Sequence, residues 1–163
     1  MVKNNLKSLL IHIIISFFFI IIFFVFFLPG GKWASEEAAN KHHIHMMFMA
    51  ITLIVIALIL YYMLGRIFLI NQGSLFKNLL ATILVAIIGT LIWVIAYTID
   101  FNINYMSNSE LWQFYCAFNG YSLFFLDESG IKNYIIILLF SFMPTIAMSF
   151  GMLRKDIPEH PTT

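Results

Sequence analysis

Charge is scarce in this chain. Of its 163 residues only 10% are Asp, Glu, Lys or Arg, whereas 61% are apolar, and cysteine, proline and glycine number one, four and eight. Each shortage excludes something. The single cysteine, Cys116, rules out an internal disulfide, a CxxC redox pair and a multi-thiolate zinc site. Nine Lys plus Arg against eight Asp plus Glu leave no basic footprint, so no nucleic-acid partner is expected. Without a Gly-, Ser- or Pro-rich linker or an internal or inverted repeat, residues 1–163 read as a single polytopic domain. No motif names a reaction, and no catalytic residue is assigned.

What is abundant is apolar sequence. A mean hydropathy of +0.92 is too high for a soluble domain of this length. About 20 consecutive apolar residues are needed to cross the hydrocarbon, where every backbone amide must find an internal partner. Four stretches qualify, at residues 9–28, 44–64, 79–99 and 134–153, ending respectively at Pro29-Gly30-Gly31, Gly65-Arg66, Asp100 and Arg154-Lys155. The first has too long an apolar core, and the wrong exit residues, for a cleaved signal peptide.

Orientation follows from the cations in the short loops. With the N-terminus inside, Lys3, Lys7, Arg66, Lys77, Arg154 and Lys155 lie inside, and Lys32, Lys41 and Lys132 lie outside. The expectation is an all-α integral protein of the cell inner (cytoplasmic) membrane, multi-pass, with four transmembrane helices and both termini cytoplasmic. The tail 156–163 is polar and Pro-rich and reads as flexible.

Between the third and fourth spans, residues 111–126 are apolar but too short for a fifth span, and a fifth span would put Arg154-Lys155 outside. Ser107 and Glu110 have capping-box spacing, and Leu111, Trp112, Phe114, Tyr115 and Phe118 recur at helical spacing. Residues 108–126 are therefore expected to form a short interfacial helix in the outer loop. A re-entrant segment turning at Asn119-Gly120 is the alternative. Trp33, Trp112, Tyr115, Tyr121 and Tyr134 fit an outer aromatic belt, while Tyr61, Tyr62 and Trp93 need no role beyond boundary or packing.

Helix contacts in lipid are marked by small and hydroxyl residues. Thr82, Ala86 and Thr90 stand four apart in the third span, beside Gly89; Ser141, Thr145 and Ser149 do so in the fourth, with Ala147, Gly151 and a kinking Pro144. These residues form either a packed centre or the lining of a pore. The first span is bulky and apolar on all sides and is expected to face lipid or another protein's helix. His12 and Asp100 fall near span ends, so no ionisable group is expected at mid-depth, against proton-coupled transport, intramembrane proteolysis and haem ligation.

One cluster could bind metal. His42, His45, Met46 and Met49 fall at i, i+3, i+4 and i+7 on a helix that Ser35 can cap, and imidazole with thioether suits copper. Histidines at a membrane boundary and flexible Met packers give the same pattern without metal, so no cofactor is expected by default. Glu36, Glu37, Asp127 and Glu128 read as solvated loop charge.

Three functions fit. The first is a non-catalytic accessory or assembly subunit of a larger respiratory or transport complex, with other membrane subunits and lipid as partners. The second is a small homo-oligomeric channel or exporter. The third is a copper-binding membrane protein using the His/Met face.

Overall fold

The computed structural model describes residues 1–27, 36–100, 109–129 and 133–153, and all regular structure among them is helical. Helix α1 spans Val2–Phe27 and α2 spans Glu36–Phe68; α3 is Leu75–Leu80 and α4 is Ile83–Ile99. Helices α5, Glu110–Phe118, and α6, Gly120–Ser129, follow, then α7, Tyr134–Phe140, and α8, Met143–Leu153. Three stretches, Val2–Val25, His42–Phe68 and Tyr134–Leu153, are long and apolar enough to cross a membrane, and α4 is a shorter apolar helix.

Several boundaries move. The first helix begins at Val2, well before the expected start at residue 9, and within its opening turns Asn4 and Ser8 are buried. The second runs through Gly65-Arg66 instead of stopping there. A Cβ on Gly65 would come within 2.6 Å of the Met148 carbonyl oxygen, and one on Gly151 would overlap the Tyr62 carbonyl. These two glycines let the α2 and α8 backbones touch, the close approach that stabilises helix pairs in lipid. The residues 154–163 lie outside the described residues, as do Ser35 and Ser107.

The expected third and fourth spans are each broken into two helices, and in each case side chains from elsewhere fill the break. Between α3 and α4 the Leu84 amide should bond the Leu80 carbonyl. Instead the Asn5 side chain of α1 inserts: its Nδ2 donates to the Leu80 carbonyl at 3.1 Å and its Oδ1 accepts from the Leu84 N–H at 3.0 Å. Between α7 and α8 the cause is Pro144, which has no N–H for the Phe140 carbonyl four residues back. Ser141 N also bonds the Leu138 carbonyl at 3.0 Å, three residues back, so the Ile137 carbonyl loses its helical partner. Tyr121 donates to the freed Phe140 carbonyl and Tyr115 to the freed Ile137 carbonyl.

The turn from α2 to α3 is built by sequence-local chemistry. Gly73 takes a left-handed φ of 90°, its N–H bonds the Asn71 side chain at 3.0 Å, and Ser74 caps α3. Asn4 then pins the start of α1 to this turn, donating to the Ile70 carbonyl at 2.7 Å.

Candidate functional site

The interior of α1 carries a polar stripe absent from the sequence expectation. Asn4, Ser8, His12 and Ser16 recur four apart and are all buried, on the face continued by Ile11, Ile15, Phe19 and Phe23. His12 is fully buried within the protein, packed between α1, α2 and α5. Summed hydropathy hides a polar residue recurring once per turn.

His12 joins three elements. Its Nδ1 lies 2.8 Å from the Tyr61 hydroxyl of α2, which also bonds the Ser16 side chain. Ser16 Oγ donates at 2.6 Å to the Phe118 carbonyl at the end of α5, and the His12 ring packs on the Phe118 ring at 4.4 Å. Ser16 spends its proton on the Phe118 carbonyl, and the direction of the His12–Tyr61 bond follows the imidazole tautomer. His12 Nε2 lies by the Phe118 backbone with no hydrogen-bond partner of good geometry. Asn119 Oδ1, at the same turn, is also unpartnered. Such a chain ties helices together, and among the described residues no carboxylate or cation hydrogen-bonds to the imidazole.

The segment after α4 differs from the expected helix lying flat with one exposed face. It is two helices, α5 and α6, meeting at Asn119 and buried on several sides: Trp112, Tyr115, Cys116, Tyr121, Phe124 and Leu126 are all covered. The cap is Ser109, whose Oγ accepts from Trp112 N at 3.3 Å. A Cβ on Gly120 would overlap the Ser16 carbonyl, so the turn presses directly on α1. Trp112, Tyr115 and Tyr121 are thus core residues and do not form a belt. The break between α7 and α8 leaves carbonyls for the Tyr115 and Tyr121 hydroxyls, and the Asp100 carbonyl after α4 takes the Trp112 indole N–H.

Hydroxyls of the two stripes meet between α3–α4 and α8. Thr82 and Ser149 hydroxyls lie 2.9 Å apart, and Thr145 Oγ1 donates to the Thr82 carbonyl at 3.2 Å. Ser141 is buried against Gly89, whose Cβ would lie 2.8 Å from the Ser141 Oγ; Ala86 is buried and Thr90 half-buried.

The His/Met cluster is divided by the helix. Met46 is buried, His42 and Met49 are half-buried, and His45 is exposed. His43, not one of the proposed ligands, bonds Glu128 at 3.2 Å, linking α2 to α6. No three His, Cys, Asp or Glu side chains converge among the described residues. The neighbouring Asp127 is exposed by surface area, and its carboxyl is held above the usual range by partial desolvation and then by the Glu128 charge.

Comparison with known proteins returns no family model that matches the chain, and no matching curated protein or solved structure.

Proposed function

We propose that the chain is a four-span protein of a cell inner membrane with both termini cytoplasmic, α3–α4 and α7–α8 being the third and fourth spans. In this reading α5 and α6 enter from the outer side as a re-entrant pair whose turn at Asn119 reaches His12 and Ser16. It acts as a non-catalytic subunit of a larger membrane complex, respiratory or transport.

One observation carries this reading. The polar side chains of the spans are spent on one another: Asn5 on the α3–α4 break, Tyr115 and Tyr121 on the α7–α8 break, and Thr82 on Thr145 and Ser149. That leaves little to line a pore. Meanwhile α1 and α2 turn Phe17, Phe18, Phe24, Phe48, Ile51 and Ile59 outward. Those faces offer bulky van der Waals packing, which together with lipid is how membrane helices associate when hydrophobic burial supplies no drive.

The test is the native mass of the tagged protein in mild detergent, with mass spectrometry of what accompanies it. Larger partners in fixed stoichiometry are expected. A clean complex of this chain alone overturns the reading and directs attention to flux through variants of Thr90, Ser141, Thr145 and Ser149. Copper that raises thermal stability, and ceases to on His42→Ala, would instead establish the metal reading.

A further inference from the structure

The charges of the described residues are sorted by end. Lys3 and Lys7 lie in the opening turns of α1, Arg66 in the last turn of α2 and Lys77 on α3. Three contacts bring these elements to one end of the bundle: Asn4 donates to the Ile70 carbonyl, Asn5 to the Leu80 carbonyl, and Lys7 Nζ to the Phe68 carbonyl at 3.2 Å. The described carboxylates are at the opposite end. Glu36 and Glu37 open α2, Asp100 closes α4, and its carbonyl takes the Trp112 indole of α5, whose first residue is Glu110. Asp127 and Glu128 follow on α6, and Glu128 bonds His43 near the start of α2. Along α2, residues 43 to 66 rise about 35 Å at 1.5 Å per residue. That rise spans the hydrocarbon, about 30 Å thick, and leaves both sets of charge at its edges.

The basic end has two further properties. Its cations are open: Lys3, Arg66 and Lys77 are exposed, and the one ion pair among the described residues, His43 with Glu128, is at the other end. Lys7, half-buried, is fixed by its bond to α2. Each open cation also stands next to an outward-facing apolar side chain: Val2 beside Lys3, Ile67 beside Arg66 and Phe76 beside Lys77. The three pairs come from three helices, so the pattern of no single helix accounts for them. A free anion matches only the charged half of such a surface. An anionic phospholipid matches both, its phosphate meeting the cation and its chains the apolar neighbour, and each cation near a headgroup layer adds to the attraction until salt screens it.

We propose that the end of the bundle formed by the start of α1, the end of α2 and α3 binds anionic phospholipid headgroups through Lys3, Arg66 and Lys77. The binding rests on residence in a membrane. Neither the subunit reading nor the direction of insertion enters, and the native mass tests the former separately.

Electron spin resonance measures the lipid preference directly, with the purified full chain in phosphatidylcholine vesicles and chain-labelled phosphatidylglycerol or phosphatidylcholine as the probe. At about 20 mM salt the glycerol lipid is expected to associate about three- to tenfold more strongly than the choline lipid, and about 0.5 M salt should bring that ratio below about twofold. Combining Lys3→Gln, Arg66→Gln and Lys77→Gln should produce the same loss at low salt, with helicity unchanged by circular dichroism. Inorganic phosphate should displace the glycerol lipid no better than chloride at equal ionic strength; displacement by millimolar phosphate would assign the cations to a free anion and overturn the lipid proposal. Equal association of the two lipids with the unaltered chain at low salt would also overturn it, and would leave the basic end to an acidic protein partner. So would a preference that persists in the triple variant. The comparison of lipids and of salt uses the unaltered chain, so it stands even if the triple variant does not fold.

Discussion

His12 and Tyr61 form a buried polar contact that joins α1 to α2. Removing one partner strands the other in a medium without water, at a cost of about 1–3 kcal/mol. Tyr61→Phe and His12→Leu are each expected to lower stability to SDS unfolding by that order, and the double variant by clearly less than their sum. Strict additivity would mean that the 2.8 Å contact contributes nothing. Asp127 gives a residue-scale pH effect of opposite sense to that of an ion-paired carboxylate. Its folded-state pKa is raised, so the folded state binds the proton more readily than the unfolded chain does. Stability is therefore highest at acid pH, falls as pH rises from about 4 through the folded-state value, and is level above it. Asp127→Asn should stabilise at pH 7 and lose that advantage below about pH 4, by a margin kept small by solvent screening at this exposed side chain. A stability gap that is independent of pH would refute the account.

At the scale of elements, the broken helices and the α5–α6 pair depend on one another. Pro144 frees the Phe140 carbonyl and Tyr121 takes it. Tyr121→Phe should cost about 1–3 kcal/mol in the native background. In a Pro144→Ala background, where an N–H is restored to that carbonyl, the same change should cost less than half as much. Equal costs in both backgrounds would show that the hydroxyl acts elsewhere. The kink itself was legible in the sequence, since proline dictates it; the filler was not, because Tyr121 precedes Pro144 in a segment whose apolar content reads as surface-seeking. Likewise the hydroxyls of Thr82, Ser141, Thr145 and Ser149 announced a contact by their spacing. The insertion of Asn5 into the α3–α4 ladder announced itself by nothing, since an Asn near the start of a chain is ordinarily solvated.

For the whole molecule, the charge asymmetry of the loops yields a topology that can be measured. In a Cys116→Ala background, a membrane-impermeant maleimide applied to intact cells should label Asn133→Cys and leave Ser74→Cys unlabelled until the membrane is opened. The reverse pattern would invert the orientation, and labelling of both would break the four-span arrangement. Cys116 itself, buried against its neighbours, should react only after denaturation.

Apolar run length by itself determined the helical class and the approximate limits of three stretches long and apolar enough to cross a membrane, because backbone satisfaction in hydrocarbon depends on composition summed over a long window. Local signals also determined the break near Pro144. Only the tertiary structure decided that residues 110–129 lie inside the bundle, that His12 is buried against α2 and α5, and that the His/Met cluster is split between an inner and an outer face. The reason is distance along the chain. His12 meets Tyr61 across 49 residues and Ser16 meets Phe118 across 102, and no local period encodes which carbonyl a broken helix will leave open for a distant hydroxyl.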